Sequence, residues 1–247
     1  MTNPKLDEFV QRLKAAAGDN LKAVILYGSA VTGEFHVRHS DLNVLCVVDR
    51  ADATQIEAMH EPVRWWAKQG HRPPLVFTLE ELVRSADVFA MELLDMKSHH
   101  HVLFGADVLA DISVPLHYHA IQVERELRTG WLRLRQAMLA APRKPKLHLE
   151  LMASSFSSFT TLFRHALIAM GETPAANKRE AIARIAEFAG ADPRGFQTVL
   201  DFREGKKESQ EINVQKMLNE YFTFVEAVTD KFDRWLDVVY LQLMLGR

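Results

Sequence analysis

Gly28 and Ser29 close one apolar run and Asp41 and Asn43 open the next, within KAVILYGSAVTGEFHVRHSDLNVLCVV, residues 22–48. A glycine lets backbone approach a ligand closely. The N–H groups of Gly28 and Ser29, with those of a helix begun at Ala30, Val31 and Thr32, would point at an anion such as a phosphate. The Ser29 hydroxyl adds a donor. Asp41 and Asn43 are two residues apart, so on a strand they project from one face while Leu42 and Val44 turn to the other. A carboxylate beside an amide oxygen offers that face as a seat for one hard cation. The competing account is a plain turn with polar strand residues.

Two strands must position these groups. Lys22 to Tyr27 is short, β-branched and aromatic and stops at Gly-Ser, the pattern of a buried strand entering a tight turn. A second apolar strand follows Asp41, and Cys46 inside it reads as a small buried hydrophobe.

This strand, Gly-Ser, spacer, Ser-Asp-x-Asn, strand order resembles the nucleotidyltransferase superfamily that includes DNA polymerase beta and the aminoglycoside nucleotidyltransferases. There the signature is Gly-Ser, a spacer, then Asp-x-Asp on the next strand. The resemblance implies an α+β fold: a nucleotidyltransferase-like mixed sheet with flanking helices, followed by an all-α helical bundle. It implies that Gly28 and Ser29 hold the phosphates of an NTP and that Asp41 and position 43 hold Mg2+. The expected reaction moves a nucleoside monophosphate to a hydroxyl of a small-molecule acceptor. Asn43 stands where the family has its second aspartate, and an amide brings no charge to offset the repulsion between two dications. A third acid lies on the strand after Asp-x-Asp in that family. By order, that strand here is Leu75 to Thr78, which carries none, so Glu92 and Asp95 in the following element are the nearest substitutes. Two readings stand together: an active transferase with Asp41, Asn43 and Glu92 at its centre, or a fold that binds a nucleotide or a protein partner without transfer.

The chain is 247 residues long, 48% hydrophobic and 25% charged, enough for a core in one large or two smaller domains. A net charge of -2 gives no general drive toward nucleic acid. No apolar run approaches the ~20 residues of a membrane helix, and MTNPKLDEFVQRL lacks a signal-peptide core, so cytoplasmic residence is expected. The pattern divides the chain into 1–114 and 115–247.

In the first part, Pro4 to Ala17 reads as an amphipathic helix ending at Gly18. One helix capped by Asp52 or Thr54 is expected to run to Lys68 with Ile56, Met59, Val63 and Trp66 on its stripe. Another starts at Thr78 or Leu79. Ala86 to Lys97 is expected to be an edge strand. Three adjacent histidines, His99 to His101, point in different directions and do not make a zinc site. His36 and His39 in the signature loop are nearer to a phosphate or base. After Pro115 the periodicity is helical throughout. The seams run through Ala120 to Met138, Leu149 to Met170, Asn177 to Gly190, Asp192 to Gly205 and Val214 to Val239. The last seam suits closure of an up-and-down bundle, or pairing with a second copy as a homodimer. Arg125, Arg128 and Arg135 leave their seam and read as surface ion pairs before phosphate ligands.

Overall fold

The computed structural model describes residues 3–31 and 42–245, with backbone only at Ser29 and Leu243. Chain contacts divide it into two units, Met1–Pro115 and Leu116–Arg247.

The first unit is a four-stranded sheet between two helical layers. Helix α1 (Pro4–Ala17) begins with Asn3, whose side chain accepts from the N–H of Lys5 and Leu6, and with Pro4 at a position where its missing N–H costs nothing. It buries Leu6, Phe9, Val10 and Leu13, spaced by threes and ones as one stripe demands. Strand β1 (Leu21–Tyr27) lies in the sheet interior. Strands β2 (Asn43–Val48) and β4 (His100–Gly105) flank it antiparallel, and β3 (Leu75–Thr78) pairs parallel to β2, giving the order β3-β2-β1-β4.

Alternation sorts the side chains into two cores. Val24 and Leu26 of β1 with Val44, Cys46 and Val48 of β2 pack on α1 and on α3 (His60–Lys68), where Phe9 stacks on Trp66 at 4.4 Å. Ala23, Ile25, Leu45 and Val47 pack on the opposite side against Leu82 of α4 (Leu79–Arg84) and Leu93 and Met96 of α5 (Ala90–Ser98).

Two expectations are corrected. The helix from Asp52 divides at Met59 into α2 (Ala53–Ala58) and α3, because Pro62 cannot donate a mid-helix hydrogen bond and instead sits in the first turn of a new helix. Ile56 is consequently exposed, while Met59 and Trp66 are buried. Residues 86–97 supply no edge strand. Ala90, Leu93 and Met96 are buried three apart, a helical period, and the edge is β4 instead. Thr78 does cap α4, in a reciprocal capping box with Glu81.

Burial pushes the Cys46 thiol up to about 12 from an ordinary 9.0, because a thiolate inside the sheet has no solvent to stabilise it. A raised folded-state value means the stability held by the neutral thiol is complete below pH 9 and is lost as pH climbs toward 12. The loss reaches about 4 kcal/mol for a three-unit shift. Two results are expected: Cys46 stays silent to a thiol-reactive dye at pH 8 until denaturant is added, and Cys46→Ala flattens the alkaline stability slope. Dye uptake by the folded chain would contradict this.

The second unit is five helices: α6 (His119–Ala140), α7 (Pro145–Ala169), α8 (Lys178–Ala189), α9 (Arg194–Arg203) and α10 (Val214–Met244). Their seams meet in an aromatic centre where Phe196 stacks on Tyr221 at 4.1 Å and Phe163 and Phe224 pack edge-on at 5.7 Å. The Tyr221 hydroxyl is bonded to Ser155 Oγ at 2.9 Å, which satisfies a buried polar group. Asn177 caps α8 by accepting from Glu180 N–H, and Gly190 stops it. Arg128 is held between Glu124 and Asp233, and Arg135 meets Glu226. For Arg128 and Arg135 the geometry bears out the ion-pair reading. No helix of the described residues is long and apolar enough to cross a membrane.

Candidate functional site

The turn after β1 is shaped by its backbone. Tyr27 enters extended, Gly28 takes φ +82°, and Gly28–Ala30 form a single 3₁₀ turn closed by Val31 N–H donating to the Gly28 carbonyl at 2.9 Å. The N–H of Gly28 donates to the His99 carbonyl at 3.3 Å, which ties the turn to the start of β4. On the other side, Asn43 opens β2 directly opposite Tyr27. A Cβ built on Gly28 would stand 3.2 Å from Asn43 Nδ2. The left-handed backbone favours glycine here, and a larger residue would also have to push the Asn43 amide aside by a few tenths of an ångström. Asp41, the spacer from Thr32 with His36 and His39, and the Ser29 side chain lie outside the described residues. Of the five residues singled out by sequence, Gly28 and Asn43 are thus brought together.

Register places three polar residues in a row. Asn43 of β2, Tyr27 of β1 and His100 of β4 are direct antiparallel partners, so their side chains share a face, the one that α4 and α5 cover. The Tyr27 hydroxyl is raised above its ordinary value, first by burial, with the Arg72 cation opposing and the Glu92 carboxylate adding to the rise. Arg72 and Glu92 therefore both lie within charge range of that hydroxyl. Glu92 comes to this end of the sheet from a helix, where the sequence suggested a strand. Asp95 follows one turn later on α5.

Among solved structures the chain is similar to spectinomycin adenyltransferase AAD(9) from Enterococcus faecialis, crystallised with ATP and spectinomycin. The TM-score is 0.55 at 13% identity, covering 92% of this chain and 100% of that one. The chain has a nucleotidyltransferase-like fold. A toxin-antitoxin structure with AMP-PNP also matches, with a TM-score of 0.30 and 17% identity over 54% of this chain and 98% of that one. No protein-family model and no curated protein matches.

Within this nucleotidyltransferase-like fold the edge strand β4 carries its own polar anchor. His100 Nδ1 lies 2.9 Å from the Met96 carbonyl and its Nε2 lies 3.0 Å from the Asp107 carboxylate. The His100 hydrogen bond holds the Asp107 carboxyl below the usual carboxylate range. His101, paired with Leu26, turns to the other face, so the histidine run divides across the sheet. No group of three or more His, Cys, Asp or Glu that could hold a metal occurs among the described residues. Asn43 is neutral and turns its amide nitrogen, a donor, toward the Gly28 turn. The described residues therefore do not fit a cage for two cations.

Tyr27, Arg72 and His100 were not foreseen in the sequence. For Tyr27 the signal was present: the last residue of an apolar strand, next to the turn glycine, must pair with the first residue of the following strand. Arg72 and His100 carry no such local mark.

Proposed function

We propose that the protein binds a nucleoside triphosphate at the Gly28 turn and transfers its nucleoside monophosphate to a hydroxyl of a small molecule. The observation that carries this is the register that pairs Tyr27 with Asn43, which sets the Gly28 turn beside the start of the strand that follows Asp41. Support also comes from the fold neighbour of known activity, whose structure holds ATP and spectinomycin.

In this reading the Ser29 N–H holds a phosphate oxygen at the turn that Gly28 shapes, and Asp41 and Asn43 flank the cation position. Asp41 would hold a Mg2+, which would supply charge neutralisation for the departing pyrophosphate. Glu92 takes the proton from the acceptor hydroxyl as its oxygen bonds to the α-phosphorus, and the bond from that phosphorus to the bridging oxygen of pyrophosphate breaks. A second reading, binding without transfer, rests on the neutral Asn43 and on a β3 strand with no acid.

The test incubates the protein with α-labelled nucleoside triphosphates, Mg2+ and a panel of hydroxyl compounds, alongside thermal melts with each nucleotide. Label transfer together with a nucleotide-dependent rise in Tm is the expected result. A rise in Tm without transfer selects the second reading. No rise with any nucleotide defeats both.

A further inference from the structure

The helical unit holds a cavity of about 370 Å³ at the end where α6 stops and α7 and α10 begin. Its walls are Met138 from the last turn of α6, Arg143 from the connection, Pro145 and His148 from the opening of α7, and Val214 and Gln215, the first two residues of α10. Clefts of about 300–1,000 Å³ with apolar walls and a few polar groups are the usual seats of small molecules. The charge such a molecule must carry follows from the lining. Two long helices, of 25 and 31 residues, present their N-terminal ends here, neither has an acid in its first turn, and α7 has no side-chain cap. Their unmet N–H groups and dipoles make this end positive, against the single negative end that α6 brings. Arg143 adds a full charge, makes no ion pair with any described residue, and no Asp or Glu lines the cavity with it. Beneath it His148 is 6% exposed, and its buried Nε2 has no hydrogen-bond partner among the described residues. A buried nitrogen left without a partner costs stability, and a ligand that meets the ring returns it.

We propose that this cavity binds a small organic anion, an apolar body ending in a carboxylate or a phosphate monoester. Arg143 meets the anionic oxygens with its guanidinium, the first turns of α7 and α10 turn their positive ends toward them, and the His148 imidazole donates the hydrogen bond that the fold leaves unmade. Met138, Pro145 and Val214 take the apolar body. Every one of these residues belongs to the second unit, so the site is separate from the Gly28 turn and does not depend on the nucleotide reading.

The test is calorimetric titration of the full chain with benzoate and phenyl phosphate, beside inorganic phosphate as a charge without a body and phenol as a body without a charge. Saturable one-to-one binding of an organic anion is expected, the tighter of the two naming the head group, with inorganic phosphate and phenol weaker by about tenfold or more. Arg143→Ala is expected to weaken that binding by about tenfold, the effect of losing a hydrogen bond between charged groups. His148→Leu is expected to weaken it by a similar factor while raising Tm, because leucine fills the place with no nitrogen left to satisfy. Arg143 is exposed, so its variant keeps the fold and decides the matter even if His148→Leu does not fold. Failure of both organic anions to bind, inorganic phosphate binding as tightly as they do, or unchanged affinity in Arg143→Ala overturns the proposal.

Discussion

Glu92→Gln is expected to lower the rate of nucleotidyl transfer by about a hundredfold or more at neutral pH, the usual yield of a positioned general base. Glutamine has the shape of glutamate but cannot take a proton from the acceptor hydroxyl. Glu92 is exposed on α5, so the exchange should leave Tm nearly unchanged. The loss should fall on kcat and leave nucleotide affinity alone, because the carboxylate acts on the acceptor and not on the phosphates. Asp95→Asn, one helical turn away, is the internal comparison. Full kcat in Glu92→Gln with loss in Asp95→Asn would move the role by that turn, and full activity in both would remove α5 from the chemistry.

The largest effect on stability is expected at Gly105→Ala. Gly105 ends β4 opposite Ala23 with φ +79°, and a Cβ there would lie 1.9 Å from the Lys22 carbonyl oxygen and 2.9 Å from its carbon. Both atoms belong to the β1 backbone, so no side chain can swing aside. The left-handed conformation alone costs an alanine about 1–2 kcal/mol, and parting β1 from β4 at that pair adds the loss of ladder hydrogen bonds and of core packing. The sum is expected to exceed about 3 kcal/mol, read as a fall in the denaturation midpoint of the first unit by circular dichroism or hydrogen exchange. A midpoint within the error of the unaltered protein would mean that the two strands can separate at that end without cost.

What the sequence revealed of this site follows a clear boundary. The turn at Gly28 and the partnership with Asn43 were legible because both lie at the ends of apolar runs, where alternation and glycine carry the signal locally. Residues 86–97 misled because Val88, Phe89 and Leu94 suit a strand as well as a helix, and the burial of Ala90, Leu93 and Met96 that decides the matter belongs to tertiary packing. Polar His99, His100 and His101 disguised the true edge strand at its opening. Pro62 inside a regular apolar stripe was a break in plain sight, and periodicity outweighed it. The electrostatic influence of Glu92 on Tyr27 depends on how α5 crosses the sheet and that of Arg72 on how the chain enters β3, and no spacing within either segment records that.

The place of β4 in the chain also has a consequence for synthesis on the ribosome. β1 and β2 are adjacent in sequence, but the second partner of β1 begins only at His100. A nascent chain that has emerged only as far as α5 therefore presents the open edge of an apolar strand, a template for pairing with another copy, for several seconds at ordinary elongation rates of about 5–20 residues per second. The sheet of this unit can close only when Gly105 clears the exit tunnel, and slow codons ahead of that point would lengthen the window for misassembly.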